Sequence, residues 1–308
     1  MNHFAIRLAA AVRCCGNPVV VGLDPRLESL PKSLQPATQA PDRQAIAHAY
    51  ESFCRDVIDV VAPLVPAVKP QAAFFEQLGP AGMNVLAKVI DYANQNGLIV
   101  VLDAKRSDIG STAEAYADAY LGPGPASAWG ADALTVNPYL GDDSLEPFVS
   151  TAIARGAGLF VLVKTSNPGG KMLQDLDAEG QPLYHYVARH VEKLAQNSLG
   201  ESQYGSVGAV VGATYPEQLA ELRTMMPHAW LLVPGYGSQG GTAADVAAAF
   251  DAEGLGAIIN SSRGIIFAHR RREFAETYGE GRWQAAVEAA TLEMIEQLQA
   301  STPAGRLV

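Results

Sequence analysis

Short apolar runs alternating with stretches long enough for helices constrain this chain more than any other feature. Eight such runs occur, at residues 19–23, 64–68, 98–102, 133–136, 159–163, 209–211, 230–233 and 257–259. They are apolar at nearly every position rather than at every second one, which is the pattern of strands buried on both faces. Between them, residues 44–61, 82–94, 184–196, 216–226 and 283–298 read as amphipathic helices. Strand–helix alternation predicts a parallel sheet, because a parallel connection needs a crossover and a helix supplies it. Eight strands is the number that closes a (β/α)8 barrel, a fold of about 250 residues. The chain has 308 residues, so the surplus goes to loops at 25–40, 121–129 and 166–183, which are rich in Pro, Gly or polar residues. The expectation is therefore an α/β protein in which residues 1–308 form one (β/α)8 TIM barrel with extended loops. A doubly wound open sheet is the alternative, since periodicity does not distinguish an open sheet from a closed one. The second run is the weakest strand, because Pro66 cannot donate to a ladder. Ahead of the first strand, Phe4, Leu8 and Val12 recur at helical spacing and predict an N-terminal helix.

Composition narrows the partners. With 22 basic against 32 acidic residues the net charge is −10, which disfavours nucleic acid. An anionic ligand would need a local positive site set against that field. Cys14, Cys15 and Cys54 show neither metal-ligand spacing nor a disulfide framework. The N-terminus lacks a signal-peptide profile, and no apolar run reaches the roughly 18 residues of a membrane span. A cytoplasmic protein with no membrane association is expected.

The chemistry-bearing residues gather where strands end. Asp24, Lys69, Asp103 with Lys105, Asn137, Ser166, Gln239 and Arg263 all follow apolar runs. In a barrel those ends converge on one mouth, where such folds keep their active sites. Turns select Asp, Asn and Ser anyway, so each alone is weak. Lys69, directly before Pro70, is a less ordinary turn residue. The third run leads into Asp103, Lys105 and Asp108, spaced D-x-K-x-x-D. Strand alternation would send Asp103 and Lys105 to the same side, as a carboxylate–ammonium pair suited to proton transfer. An ordinary strand-end salt bridge would use the same residues. Ser111 and Glu114 fit a capping box opening the next helix.

Two late segments suit a phosphate. Pro234 opens a turn containing Gly235, Gly237, Gly240 and Gly241, whose backbone N–H groups could approach an anion closely. Asn260, Ser261, Ser262 and Arg263 follow the eighth run and enter a helix. Loops after strands seven and eight are the frequent phosphate position in this barrel. The six histidines, His3, His48, His185, His190, His228 and His269, fall in helices or before strands and receive no catalytic role.

Asp103-Ala104-Lys105-Arg106-Ser107-Asp108-Ile109 resembles the signature of the orotidine 5′-phosphate decarboxylase family. Gly22-Leu23-Asp24, Val68-Lys69-Pro70-Gln71, the segment from Pro234-Gly235 to Gln239-Gly240-Gly241, and Ser262-Arg263 occur in that family's order. The wording around Asp103 and the chain length resemble its second, mainly bacterial, subgroup. The resemblance implies a homodimer that converts orotidine 5′-phosphate to UMP and CO2 with no metal or organic cofactor. It further implies a charged tetrad of Lys69, Asp103, Lys105 and Asp108, with Lys105 as proton donor to C6 and Asp103 beside the departing carboxylate. Asp108 and Thr112 would come from the neighbouring subunit. Asp24 and Lys69 would bind ribose hydroxyls, with Thr112 contributing. Ser166 would read the pyrimidine edge. Pro234 would belong to the substrate-binding set, and Gln239 and Arg263 would hold phosphate. Ser262 stands where many relatives have Gly; a contact made through its backbone N–H would be unaffected.

Other readings remain open at this stage. A sugar-phosphate decarboxylase or epimerase shares D-x-K-x-x-D but usually needs a divalent metal. A Schiff-base aldolase could use Lys69, Lys105 or Lys164. A non-catalytic phosphometabolite sensor is the third.

Overall fold

The apolar runs pair in parallel and close on themselves. The computed structural model describes residues 3–38, 41–237 and 240–307. The strands are β1 (Val19–Leu23), β2 (Ala67–Pro70), β3 (Ile99–Arg106), β4 (Ala133–Val136) and β5 (Gly158–Lys164). A small hairpin, β6 (Asp177–Ala178) with β7 (Gln181–Pro182), precedes β8 (Val207–Val211), β9 (Leu231–Val233) and β10 (Ala257–Ser261). Hydrogen-bonded neighbours run β1-β10-β9-β8-β5-β4-β3-β2, and β1 pairs with β2. The open-sheet alternative is thereby excluded.

Several boundaries differ from expectation. The second strand begins at Ala67, and Pro66 stays outside it, accepting from the Ile99 N–H through its carbonyl at 3.0 Å. β3 runs on to Arg106, with a register shift against β4 between Leu102 and Arg106. The helix after it, Gly110–Tyr120, has Ile109 at its N-cap and no side-chain cap. The Ser111–Glu114 capping box is therefore not formed. Ser111 already lies inside the first turn, where its hydroxyl cannot serve as the cap. The loop at 166–183 is structured, holding a 3-10 turn (Pro168–Gly170), a short helix (Lys171–Gln174) and the β6–β7 hairpin.

The barrel has two apolar layers. Val19 and Val21 face the outer helices, whereas Val20 points inward with Ala67, Val101, Phe160 and Ile258. Side-chain alternation along each strand divides them. The helix Phe4–Cys15 seals the end of the barrel at which the strands begin. Its Phe4, Leu8 and Val12 join the inner layer, and the Phe4 ring meets Phe160 edge-on at 6.1 Å. A side chain at Gly158 would collide with that ring, its Cβ falling 2.2 Å away. Arg7 ties the helix to Asp132, which also accepts from the Val100 N–H at 2.8 Å. Among the described residues, no helix is long and apolar enough to cross a membrane.

Phe4→Ala should cost about 3–5 kcal/mol, as for a large aromatic removed from a packed core. Because Phe4 lies at the end opposite the mouth, kcat/KM below the melting transition should stay near that of the parent. Urea denaturation and steady-state kinetics on the same preparation check both.

Candidate active site

Adjacent strands bring the central charges together. β2 carries Lys69 and β3 carries Asp103 and Lys105. Asp103 is 7% exposed and Lys69 is 4% exposed. Lys69 Nζ donates to Asp103 Oδ2 at 2.8 Å, and Lys105 Nζ donates to Asp103 Oδ1 at 2.6 Å. Gln71 Nε2 adds a third bond to Oδ2 at 3.0 Å. Burial works against both ionised forms, and the mutual charges overcome it. Desolvation would lift the Asp103 carboxyl, but Lys69 and Lys105 hold it well below the usual carboxylate range. Desolvation would likewise lower Lys69, yet Asp103 and Asp24 raise it above the ordinary lysine value.

Lys105 reaches Asp103 by an unexpected route. Simple alternation does not describe it, because Lys105 adopts a left-handed backbone with φ 49°. A non-glycine residue there costs about 1–2 kcal/mol. Thr135 of β4 supports the bend. Its Oγ1 accepts from the Ala104 N–H at 3.0 Å and the Lys105 N–H at 2.9 Å, and donates to Asp103 Oδ1 at 2.9 Å. The irregular end of β3 thus turns the Lys105 side chain into the mouth while leaving it 46% exposed and accessible to a ligand.

The mouth encloses a cavity of ≈ 300 Å³. Asp24, Lys69, Asp103 and Lys105 line it together with Ser166, Pro234, Ser262 and Arg263. Close backbone approaches shape its rim. A Cβ on Gly22 would lie 1.8 Å from Ser262 Oγ, and one on Gly212 would lie 2.9 Å from Ser166. Gly237 and Gly241 cinch the turn after β9, the Gly237 N–H donating to the Gly241 carbonyl at 2.8 Å. Gly235 and Gly237 take φ values of 100° and 69°, which a larger side chain would strain. The helix that Arg263 opens is four residues long, Arg263–Ile266. Its dipole is therefore small, so any hold on an anion there rests on the guanidinium and on backbone N–H groups.

Two expected site residues do not join this set, and a third is not described. Asp108 is half-buried outside the cavity lining, its carboxylate accepting from the Ile109 N–H at 2.9 Å. Thr112 is exposed on the helix Gly110–Tyr120. Gln239 lies outside the described residues. Conversely, Gln71 and Thr135 line the cavity without having been given a site role, and Asn260 lines it where only a phosphate segment was expected. Thr135 was visible as the one polar residue within an apolar run. Asp24 Oδ1 and Asn260 Oδ1 are buried without a hydrogen-bond partner, two acceptors that ligand hydroxyls or N–H groups would satisfy. Lys164 is buried outside the lining and paired with Asp175. Among the described residues, no histidine lines the cavity.

A closed parallel barrel with a carboxylate gripped by two ammonium groups at its C-terminal mouth defines a TIM-barrel enzyme. The model of the orotidine 5′-phosphate decarboxylase / HUMPS family matches residues 17–278. The chain is 60% identical to orotidine 5′-phosphate decarboxylase of Rhodopirellula baltica over 301 residues, covering 97% of this chain and 100% of that protein. It is 39% identical to the Caldicellulosiruptor bescii enzyme of the same name over 278 residues, covering 88% of this chain and 91% of the relative. The solved structure of Leishmania donovani OMP decarboxylase superposes with a TM-score of 0.74 at 35% identity, covering 97% and 98% of the two chains. This chain belongs to the orotidine 5′-phosphate decarboxylase family. It is a carboxy-lyase.

The depressed pKa of Asp103 has a signed consequence for stability. Its ionised form is favoured in the folded state, so its contribution is complete above the unfolded carboxyl value of about 4. The contribution is lost as pH falls further, toward the lower folded value. Asp103→Asn leaves Lys69 buried without its counter-charge and should cost about 3–5 kcal/mol at neutral pH. The gap between parent and variant in urea denaturation should stay constant from about pH 7 to 5 and shrink below about pH 4.

Proposed function

We propose that this chain decarboxylates orotidine 5′-phosphate to UMP and CO2, a step of pyrimidine synthesis, by electrostatic means with no metal or organic cofactor. The observation that carries this reading is the Asp103 carboxylate bound at 2.8 Å and 2.6 Å by Lys69 and Lys105. Loss of CO2 leaves an electron pair on C6 of the pyrimidine, in the ring plane, where the π system cannot take it up. The reaction therefore needs a cation already in place at C6, whose attraction grows as charge develops. Lys105 is that cation. As the C6–carboxyl bond breaks, the pair stays on C6, CO2 leaves, and the Lys105 ammonium delivers its proton to C6. Water then reprotonates the amine. Asp103 stands beside the substrate carboxylate and keeps Lys105 charged and aimed. Lys69 balances the carboxylates around it and, with Asp24, binds ribose hydroxyls.

Ser166 reads the pyrimidine edge, and Pro234 contributes to the substrate wall. Gln239, Arg263 and the backbone at Ser262 hold the phosphate. The phosphate is remote from C6, so its binding energy organises the site rather than entering the chemistry. Asp108 and Thr112 complete the neighbouring subunit's site in a homodimer. Supporting this are their positions outside this chain's own cavity and the exposed apolar side chains of Ile109 and Tyr139 at the same end of the barrel, 57% and 73% exposed. A cytoplasmic protein in which residues 1–308 act as one domain is part of the same reading.

Loss of orotidine 5′-phosphate absorbance, followed with purified protein in EDTA, should proceed at full rate; no turnover overturns the reading. Lys105→Ala should lower kcat by at least about a thousandfold while the circular dichroism spectrum is retained. Near-parent kcat in that variant is incompatible with the mechanism.

Shared sites predict complementation. Lys105→Ala and Asp108→Ala homodimers, each nearly inactive, should recover about a quarter of parent activity after mixing and subunit exchange, since each hybrid has one site with both residues intact. No recovery, with exchange verified by mass, places Asp108 in its own subunit's site.

A further inference from the structure

Beyond Lys164 the chain leaves β5 and crosses the rim as the loop at 166–183. Two consecutive loop residues return to the last residue of the strand and the one after it. Asp175 pairs with Lys164. Gln174 accepts from the Thr165 N–H at 3.0 Å through Oε1 and donates to Thr165 Oγ1 at 2.7 Å through Nε2. The Lys164 side chain is 1% exposed, with its ammonium 5.1 Å from the ring centroids of both Tyr184 and Tyr215. Lys171, within the loop, sits over the same Tyr215 ring at 5.7 Å. Ser166 itself rests on Gly212, and Thr214 Oγ1 donates to its carbonyl at 3.4 Å.

A buried ammonium is expensive, and apolar residues of similar volume would pack at least as well. This one neither lines the cavity nor faces the Lys69–Asp103–Lys105 set. What it holds is Asp175, and through Asp175 the far end of the segment that begins with Ser166. We infer that Lys164 and Asp175 are positioning residues for substrate recognition: their ion pair, backed by Gln174 on Thr165, staples residues 166–175 into a closed loop that holds Ser166 at the mouth. The staple acts through Ser166 and so rests on the reading of Ser166 as the pyrimidine contact.

The test uses full-length Asp175→Ala, Gln174→Ala and Lys164→Met, the last removing the buried charge altogether. UMP affinity and KM for orotidine 5′-phosphate should each worsen by about tenfold, as expected for a displaced contact group, with kcat changing far less. Affinity for ribose 5-phosphate, which has no pyrimidine, should not change. Trypsin should cut after Lys171 faster in each variant than in the parent. Should Asp175→Ala fail to fold, Gln174→Ala, which strands no charge, carries the test. Equal loss of UMP and ribose 5-phosphate affinity would mean a merely structural role and would overturn the inference. Unchanged UMP affinity in the staple variants, with weakened binding in Ser166→Ala, would also overturn it. Unchanged UMP affinity in Ser166→Ala would instead remove the Ser166 reading on which recognition depends, and the staple for recognition with it.

Discussion

The Asp103 carboxylate lies almost wholly out of water, and what makes that tolerable is contact with two ammonium groups and an amide. Each partner arrives differently. Lys69 and Gln71 come from β2 and its end, Lys105 from the irregular end of β3, and the Thr135 hydroxyl from β4. The site therefore depends on the register of three neighbouring strands. Slipping β2 against β3 by one residue would turn Lys69 away from the mouth and leave a buried carboxylate facing an apolar side chain. Burial and pairing are coupled here. The set is a strong local field because it is dry, and it survives being dry because it is paired.

The barrel divides its labour between two ends. At the end where the strands begin, the helix Phe4–Cys15 fills the opening with Phe4, Leu8 and Val12. At the other end the same strands close in polar side chains around a cavity of ≈ 300 Å³. Missing side chains matter as much as present ones at that rim. Gly22 leaves room for Ser262, and Gly212 leaves room for Ser166. Packing fills the lower end, and the strands it fixes carry the polar mouth at the other.

A TIM barrel by itself says little about chemistry, because many reactions use it. Here the fold, the charged mouth and the relatives in the orotidine 5′-phosphate decarboxylase family converge. The Lys69–Asp103–Lys105 set is what the proposed loss of CO2 rests on. In the proposed mechanism Lys105 is a cation fixed before the reaction starts, so no reorganisation would be needed when charge appears.

Much of this was legible in the chain. The apolar runs named the strands because a strand buried on both faces cannot hide its composition. Strand-end polar residues marked where the cavity lies, from Asp24 to Arg263, because a barrel gathers those ends whatever the loops do. Tertiary structure decided the rest. Closure of the sheet and the register shift of β3 against β4 each depend on residues far away in sequence. So do the left-handed turn at Lys105, held by Thr135, and the separation of Asp108 and Thr112 from the cavity. Local composition determines what a segment is able to form, since propensity and hydrophobic pattern act over a few residues. Which atoms finally meet is settled by nonlocal packing and hydrogen bonding, whose partners become neighbours only when the barrel closes.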